Sequence, residues 1–356
     1  MKPRLPICRT RREFLSSAAV SVLAGTLPSC RNAAARPIVS VVKIRKGNIE
    51  AGVEEAIELL GGMAEVTRGK DRIMLKPNLV VADPDSTTKL PVMRALVRLM
   101  RSAHKDVSIG EGSAAAAPFN VRNDQTFRTS DKDLLKGLQN CVFDELGYSE
   151  FSKAERVPLV NLHTGDLVEV KVPGAFLFDK LTLHRSLTEI DLLCSVPMMK
   201  THMMAGVTLG MKNLIGLYPG AIYQAPRGNM HDLAAQIEPS ATAAPIVDMV
   251  RANKLGLVVI DGSSAMEGNG PAGGTQVPME TIIAGTNPLA TDMVAADLMG
   301  FGPDEIPAFT WAHKAGLRPF RLEEIETRGE PLYRVRRRFV RPVVVPWSPS
   351  YYPLLQ

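Results

Sequence analysis

The sequence predicts an α/β fold in which a mostly parallel β-sheet is flanked by helices. Short apolar runs typical of strands alternate along the chain with segments that place apolar residues three and four positions apart, as amphipathic helices do. Several of the apolar runs end directly on polar or glycine residues, as strands do where they lead into a ligand crevice. The body is therefore expected to be one large α/β unit or two lobes around a cleft.

The strands are predicted from runs that are rich in valine, isoleucine and leucine and are bounded by glycine, proline or polar residues. In chain order these runs are residues 38–44, 72–75, 106–109, 158–162, 167–172, 190–196, 257–260 and 281–284. Between them, apolar residues with helical spacing predict helices at residues 50–60, 92–102, 131–145, 246–253 and 289–299.

The composition indicates a globular protein with a core of its own. Hydrophobic residues make up 45% of the 356 residues and charged residues 22%, which excludes a disordered or fibrous chain. The four cysteines, at positions 8, 30, 141 and 194, form no CxxC pair. This pattern excludes a disulfide scaffold, a zinc ribbon and an iron–sulfur cluster held by this chain alone.

The formal net charge of +5 does not describe the body of the protein. Five basic residues against Glu13 give the first 29 residues a charge of +4, and residues 331–356 add five arginines and no acid. Residues 30–330 therefore carry −4. A mildly acidic body gives no basis for nucleic-acid binding, which needs a basic surface.

Residues 1–35 are predicted to be a twin-arginine export signal. An Arg-Arg pair at position 11 precedes Phe-Leu and an apolar stretch over residues 18–27, which is too short to span a bilayer. Cleavage after the alanine run that ends at Ala35 would give a periplasmic protein. A lipobox that ends at Cys30 would instead give a membrane-anchored lipoprotein.

The C-terminal tail, residues 331–356, combines its arginines with valines and aromatic residues. One interpretation is peripheral contact with an anionic membrane surface, with the aromatic rings at the level of the headgroups. The other is an extended tail that packs its valines back on the domain. The α/β domain itself is expected to span residues 36–330.

Polar residues that follow four of the predicted strands are expected to meet at one edge of the sheet. They are Lys76, Asn78, Glu111, Ser113, Lys200 and Asp261. Such a set suits a small anionic ligand, with Lys76 or Lys200 as the charge clamp. A glycine-rich loop beyond Asp261 adds Glu267 and Asn269. Asp261, Glu267 and Asn269 either supply oxygen ligands or orient a base. The other interpretation is that they only stabilise an Asx turn.

Residues 197–231 form the segment richest in candidate functional side chains. Among glycines and methionines, it holds Lys200, His202, Lys212, Asn213 and His231. An unpaired charge is costly in an apolar environment, so ionisable residues in such a segment need either partners or a function. The glycines allow the backbone to approach a ligand closely.

Taken together and in this order, these motifs resemble the domain of unknown function 362 family. The resemblance covers residues 41–316. It rests on Lys76-Pro77-Asn78, Gly110-Glu111-Gly112-Ser113, Lys200-Thr201-His202, Lys212-Asn213, His231, Asp261-Gly262 and Glu267-Gly268-Asn269. The family has no settled activity. Some members carry an added ferredoxin-like cluster domain, and because this chain lacks those cysteines, such a cluster would have to come from a redox partner protein.

The same segment is distantly similar to nickel-pincer lactate racemases. That similarity implies that His202 corresponds to an acid/base histidine, Lys212 to the lysine that tethers the pincer nucleotide, and His231 to a nickel ligand. The chain departs from the pattern at Ser113, where a second acid/base histidine would fall, and at Ile215, where a proline is expected. The similarity therefore implies metal or cofactor binding rather than racemisation of a 2-hydroxy acid.

The sequence thus predicts an exported protein that binds a divalent metal or a nickel-pincer-like nucleotide. It would perform redox or proton-transfer chemistry on a small anionic substrate. The predicted catalytic residues are His202, Lys212 and Lys200, and the predicted metal ligands are His231 and His202. The predicted cofactor-binding residues are Lys76, Asn78, Glu111, Ser113, Asn213, Asp261, Glu267 and Asn269. The alternative is a non-catalytic binding or assembly factor for an iron–sulfur redox partner.

Overall fold

A computed structural model describes residues 35–355. The lipobox predicted at Cys30, and all of the predicted export signal except Ala35, lie outside the described residues. The chain from Arg36 onward forms one compact unit. Within residues 35–355, no helix is both long and apolar enough to cross a bilayer.

Most strands of the described part of the chain belong to one mixed sheet. The strands are β1 (Ile38–Lys43), β2 (Arg72–Pro77), β3 (Asp106–Glu111), β4 (Val121–Arg122), β5 (Gln125–Thr126), β6 (Leu159–Asn161), β7 (Leu167–Lys171), β8 (Lys180–His184), β9 (Leu192–Val196), β10 (Met198–His202), β11 (Gly206–Thr208), β12 (Leu255–Glu267), β13 (Thr275–Val277), β14 (Thr281–Gly285) and β15 (Glu326–Gly329). The eleven-stranded sheet has the order β15-β1-β14-β12-β9-β2-β3-β6, and β10, β11 and β13 extend it beside β12.

Six of the ten strand pairings in this sheet are parallel, which confirms the predicted mostly parallel α/β fold. The central exception is β14, which runs antiparallel to both β1 and β12. A parallel neighbour needs a crossover connection, which is usually a helix. The segment between β12 and β14 contains β13 and no helix, so the chain returns antiparallel.

Helices cover both faces of the sheet. They are α1 (Ile49–Glu58), α2 (Met63–Val66), α3 (Leu90–Ser102), α4 (Lys132–Glu145), α5 (Tyr148–Glu155), α6 (Ser186–Glu189), α7 (Gly210–Asn213), α8 (Gly220–Tyr223), α9 (Gly228–Ala234), α10 (Ala243–Ala252), α11 (Pro288–Leu298), α12 (Pro307–Lys314) and α13 (Leu332–Val335). Along β2, Ile73 and Leu75 pack into one apolar core with α1, α3, α4 and α5. Met74 points to the other face and packs with α10, α11 and α12. Burial on both faces accounts for the continuous apolar runs in the sequence.

All eight predicted strands and all five predicted helices are present, and two strands differ in their placement. Residues 167–171 form β7, which pairs with β8 in a hairpin outside the main sheet. The run predicted to end at residue 260 continues as β12 through Asp261 to Glu267, because β13 and β14 pair with the extension. Asp261 therefore lies within a strand and not at its end.

The C-terminal tail packs on the domain. Its Phe339 and Trp347 side chains are buried, whereas those of Val343 and Val344 are 65% and 63% exposed. The tail is therefore held by aromatic side chains rather than by these two valines.

Candidate functional site

A cavity of about 110 Å³ lies beyond the carboxyl ends of β2 and β3, many times the ~10–15 Å³ that one ordered water needs. Eight of the twelve predicted site residues line it. They are Lys76, Asn78, Glu111, Lys200, His202, Lys212, Asn213 and His231. Arg227, which the sequence reasoning missed, also borders this cavity, which we call the cationic cavity.

Three of the other predicted residues accept hydrogen bonds from backbone N–H groups away from this cavity. Asp261 accepts hydrogen bonds from the Lys89 N–H at 2.8 Å and from the Ser263 N–H at 3.0 Å, the second of which forms an Asx turn. Glu267 and Asn269 accept backbone N–H groups of the C-terminal tail, each at 2.9 Å. The structure does not bring these side chains into the cationic cavity.

Ser113, the fourth, lies just behind the cavity wall. Its carbonyl oxygen accepts hydrogen bonds from His163 Nε2 at 2.8 Å and from the Arg227 guanidinium at 3.1 Å. Its buried hydroxyl has no partner among the described residues. Ser113 therefore contributes to the cavity through its backbone. His163 Nδ1 accepts the Gly220 N–H, so both ring nitrogens of this histidine, which was not predicted, are engaged in structural hydrogen bonds.

A buried ion pair joins the ends of β2 and β3. Lys76 Nζ lies 2.7 Å from the Glu111 carboxylate, and the two side chains are 1% and 2% exposed. Glu111 also accepts the Leu79 and Gly112 N–H groups at 2.8 Å. Burial lowers the pKa of Lys76, while the Glu111 charge opposes that shift. A Cβ at Gly216 would lie 2.7 Å from Lys76 Nζ, so only glycine fits beside the pair.

Lys200, on β10, is held by two backbone carbonyls. Its ammonium donates to the Ser86 oxygen at 2.6 Å and to the Pro271 oxygen at 2.9 Å. Burial and the nearby Lys212 charge lower the pKa of Lys200 to about 7. This lysine therefore titrates near neutrality.

Arg227 is the most heavily hydrogen-bonded cation of the cavity. Its guanidinium donates to four backbone carbonyls, those of Gly112, Ser113, Gly216 and Tyr218. Burial lowers the pKa of Arg227 to about 10, so the group stays charged at neutral pH. Its only signal in the sequence is its place four residues before His231.

Lys212, on α7, differs from the other three cations because its ammonium has no hydrogen-bond or ion-pair partner within residues 35–355. Burial, together with the Arg227 and Lys76 charges, lowers its pKa to about 7. The Asp292 carboxylate holds the start of α7 by accepting the Gly210 and Met211 N–H groups at 2.7 and 2.8 Å. Lys212 is therefore a well-positioned cation with free donors.

The hydrogen bonds of the two cavity histidines assign opposite roles to their Nε2 atoms. His202 Nδ1 accepts the Met204 N–H at 3.1 Å, so the proton of the neutral ring is on Nε2. His231 Nδ1 lies 2.8 Å from the Ala241 carbonyl oxygen, so its proton is on Nδ1 and Nε2 keeps a free lone pair. His202 thus offers a donor, and His231 offers an acceptor or a metal ligand.

Both rings are neutral at pH 7. Burial and the Lys212 and Lys200 charges hold the pKa of His202 well below its usual value. Burial also lowers the pKa of His231, to about 3, although its hydrogen bond to Ala241 opposes the shift. A neutral His231 can take up a proton or bind a metal, whereas a protonated one can do neither.

These features define an α/β protein with a buried, cation-lined cavity at the carboxyl ends of two neighbouring parallel strands. The chain belongs to the family described as a domain of unknown function (DUF362), whose model matches residues 73–297. The family membership expected from the motifs is thus confirmed. The chain is also 25% identical over 280 residues to a thylakoid-associated protein of Synechocystis sp., and the match covers 78% of each chain.

Two solved structures are distantly similar. One is the lactate racemase apoprotein of Thermoanaerobacterium thermosaccharolyticum, with 16% identity and a TM-score of 0.37 over 64% of this chain. The other is a protein from Thermotoga maritima, with 14% identity and a TM-score of 0.33 over 59% of this chain. Each match spans half the length of the solved chain.

Proposed function

We propose that the cationic cavity binds a small organic anion and performs proton-transfer or redox chemistry on it together with a metal or organic cofactor. The observation that carries the proposal is the free ammonium of Lys212 beside three other cations. Glu111, the one carboxylate among the lining residues, is already paired with Lys76. The Lys212 side chain is partly exposed at the cavity, and its unpaired ammonium would form a charge-assisted hydrogen bond with an anionic ligand.

Two unpartnered polar atoms support a ligand at this place. Asn78 Oδ1 and Thr208 Oγ1 are buried, belong to lining residues, and have no hydrogen-bond partner among residues 35–355. Buried polar atoms are nearly always hydrogen-bonded in native proteins. Their presence in one cavity favours a ligand that has polar groups of its own.

The two histidines supply an acceptor and a donor. A pKa of about 3 makes His231 a weak base at neutral pH, so its free Nε2 lone pair would accept a hydrogen bond from the ligand or bind a metal. The Nε2–H of His202 can donate a hydrogen bond to charge that develops on a ligand oxygen. Lys200 and Lys212, with pKa values of about 7, are able to exchange protons at neutral pH.

The donor set fits a metal that arrives with its own ligands. Within residues 35–355, no group of three His, Cys, Asp or Glu side chains is placed to hold a metal ion. His231 Nε2 is free to ligate, whereas His202 Nε2 carries the ring proton because its Nδ1 accepts a backbone N–H. His231 would therefore bind the metal of a cofactor near Lys212, and such a group would supply Lewis-acid or redox chemistry.

We also propose that the chain is exported in a folded state. The Arg-Arg pair and the apolar stretch of the leader support this route. A buried cofactor cavity is compatible with it, because twin-arginine export moves folded proteins.

Anion binding is expected to weaken as the pH rises above 7. Lys200 and Lys212 lose their protons near that pH, and a ligand that requires one protonated lysine then loses about tenfold in affinity per pH unit. Isothermal titration of the purified protein with oxalate between pH 6 and 9 measures this. An affinity that stays constant over that range would contradict the proposed role of the lysines.

Metal binding at His231 is expected to quench the fluorescence of Trp347. The two rings are stacked with centroids 4.6 Å apart, and Trp311 is the only other tryptophan in the sequence. In a Trp311→Phe background, Ni²⁺ added as its iminodiacetate complex, which keeps coordination positions free, should quench the remaining emission, and His231→Gln should abolish that quenching. The exposed His104 provides the control variant His104→Gln, which should quench normally. Equal quenching in both variants would rule out His231 as the ligand.

A further inference from the structure

We infer that Tyr352 of the C-terminal tail, together with Met203 and Met204, forms an apolar wall of the cationic cavity that selects anions with an apolar substituent. This inference rests on the proposed binding of an organic anion, because it concerns the same cavity. The family match ends at residue 297, so Tyr352 lies outside the part of the chain that the family model describes, whereas Met203 and Met204 lie within it.

The segment 347–355 is anchored beside α9, the helix that carries His231. Arg128 is buried and pairs with Asp232 of α9. The same guanidinium donates to the backbone carbonyl oxygen of Tyr352 at 2.6 Å and to that of Pro349 at 3.2 Å. Trp347 Nε1 donates to Asp232 Oδ1 at 2.9 Å. One buried cation and one carboxylate therefore hold the segment in a defined place.

The anchored segment builds a small apolar cluster against the cavity. Its buried members are Met204, Ala234, Ala241 and Trp347, with Leu177, Met203 and Tyr352 packed against them. Three members of the cluster, Met203, Met204 and Tyr352, also border the cationic cavity. The cavity therefore combines cationic groups, which would bind an anionic group of the ligand, with an apolar wall. An inorganic ion has no apolar surface to bury against that wall.

Burial of apolar ligand surface against this wall sets the expected size of the selectivity. Each methylene group removed from water contributes ~0.8 kcal/mol, which is about a fourfold gain in affinity. A cavity of about 110 Å³ limits the series to short chains. Affinity should therefore rise from acetate to propionate to butyrate, although all three carry the same charge.

The test is isothermal titration of the purified protein with these three carboxylates at pH 6.5, using competition against oxalate where binding is weak. About fourfold tighter binding per methylene is expected for the wild type. Tyr352→Ser should reduce this gain in affinity per methylene. The neighbouring Tyr351, which does not border the cavity, provides the matched control Tyr351→Ser, for which the full gain should remain.

The half-buried Met203 provides a second wall variant, Met203→Gln, in case Tyr352→Ser does not fold. This variant should also reduce the gain in affinity per methylene. Equal affinities for the three acids in the wild type would overturn the apolar wall and leave the proposed anion binding intact. The apolar wall would also be overturned if both wall variants kept the full gain in affinity per methylene. Absence of binding for oxalate and for all three acids would overturn the proposed function as well.

Discussion

Replacing Lys212 with methionine is expected to weaken oxalate binding about ten- to hundredfold at pH 6.5. Methionine keeps the length of the side chain and removes the ammonium, which has no other partner among the described residues. A hydrogen bond to a charged group contributes about 1.5–3 kcal/mol, which corresponds to that range of affinity. Isothermal titration measures the loss. The free energy of unfolding should not decrease, because the variant buries no unpaired charge.

The control for this prediction is Lys180→Met. Lys180 lies on β8, its side chain is 53% exposed, and it pairs with Glu169 at the surface. This variant removes the same charge from the protein as a whole and should bind oxalate as the wild type does. If Lys212→Met bound oxalate no more weakly than Lys180→Met, the free ammonium would not be the anion contact.

Much of the site follows from the sequence because neighbouring parallel strands end at the same edge of a sheet. Lys76 and Glu111 lie at the carboxyl ends of β2 and β3, which are adjacent and parallel. Strand prediction alone therefore placed the two side chains close together. Asp261 shows where this reasoning fails. β13 and β14 extend β12 beyond the predicted end, and such long-range pairing is invisible in a local pattern.

Sequence patterns do not predict Arg227 or the place of Tyr352 in the apolar wall, for a different reason. Arg227 reaches the cavity from a loop, and its guanidinium is fixed by four carbonyls from two parts of the chain, residues 112–113 and 216–218. Tyr352 reaches the same cavity because Arg128 binds its carbonyl, 224 residues away in sequence. Periodicity reports which residues share a face of one element, and neither of these contacts depends on such a face.

The different roles of His202 and His231 become clear only from the hydrogen bonds in the structure. The sequence predicts His202 as an acid/base group and both His202 and His231 as metal ligands. Their backbone partners separate them, since His202 Nδ1 accepts an N–H whereas His231 Nδ1 faces a carbonyl. Donor and acceptor functions of an imidazole are set by what its other nitrogen contacts, and that contact cannot be read from spacing.

Breaking the buried ion pair is expected to produce the largest change in stability. Glu111→Gln keeps the size of the side chain and leaves the Lys76 ammonium buried near Arg227 without a counter-charge. Loss of one partner of a buried pair costs about 3–5 kcal/mol. Urea unfolding at pH 7 should show a loss of this order. Glu55→Gln removes one partner of an exposed pair with Arg45 and should cost less than about 1 kcal/mol.

The double variant Lys76→Met with Glu111→Gln distinguishes a broken charge pair from a general loss of packing. It leaves no unpaired charge at this position, so it should recover a large part of the stability that Glu111→Gln loses.

The pH dependence of stability provides a second check. Burial already lowers the pKa of Lys76, and removal of the Glu111 charge, which opposes that shift, lowers it further. Folded Glu111→Gln then binds fewer protons than its unfolded state, so its stability should rise relative to wild type as the pH increases. A double variant no more stable than Glu111→Gln would show that Glu111 acts through its hydrogen bonds to the Leu79 and Gly112 backbone rather than through its charge.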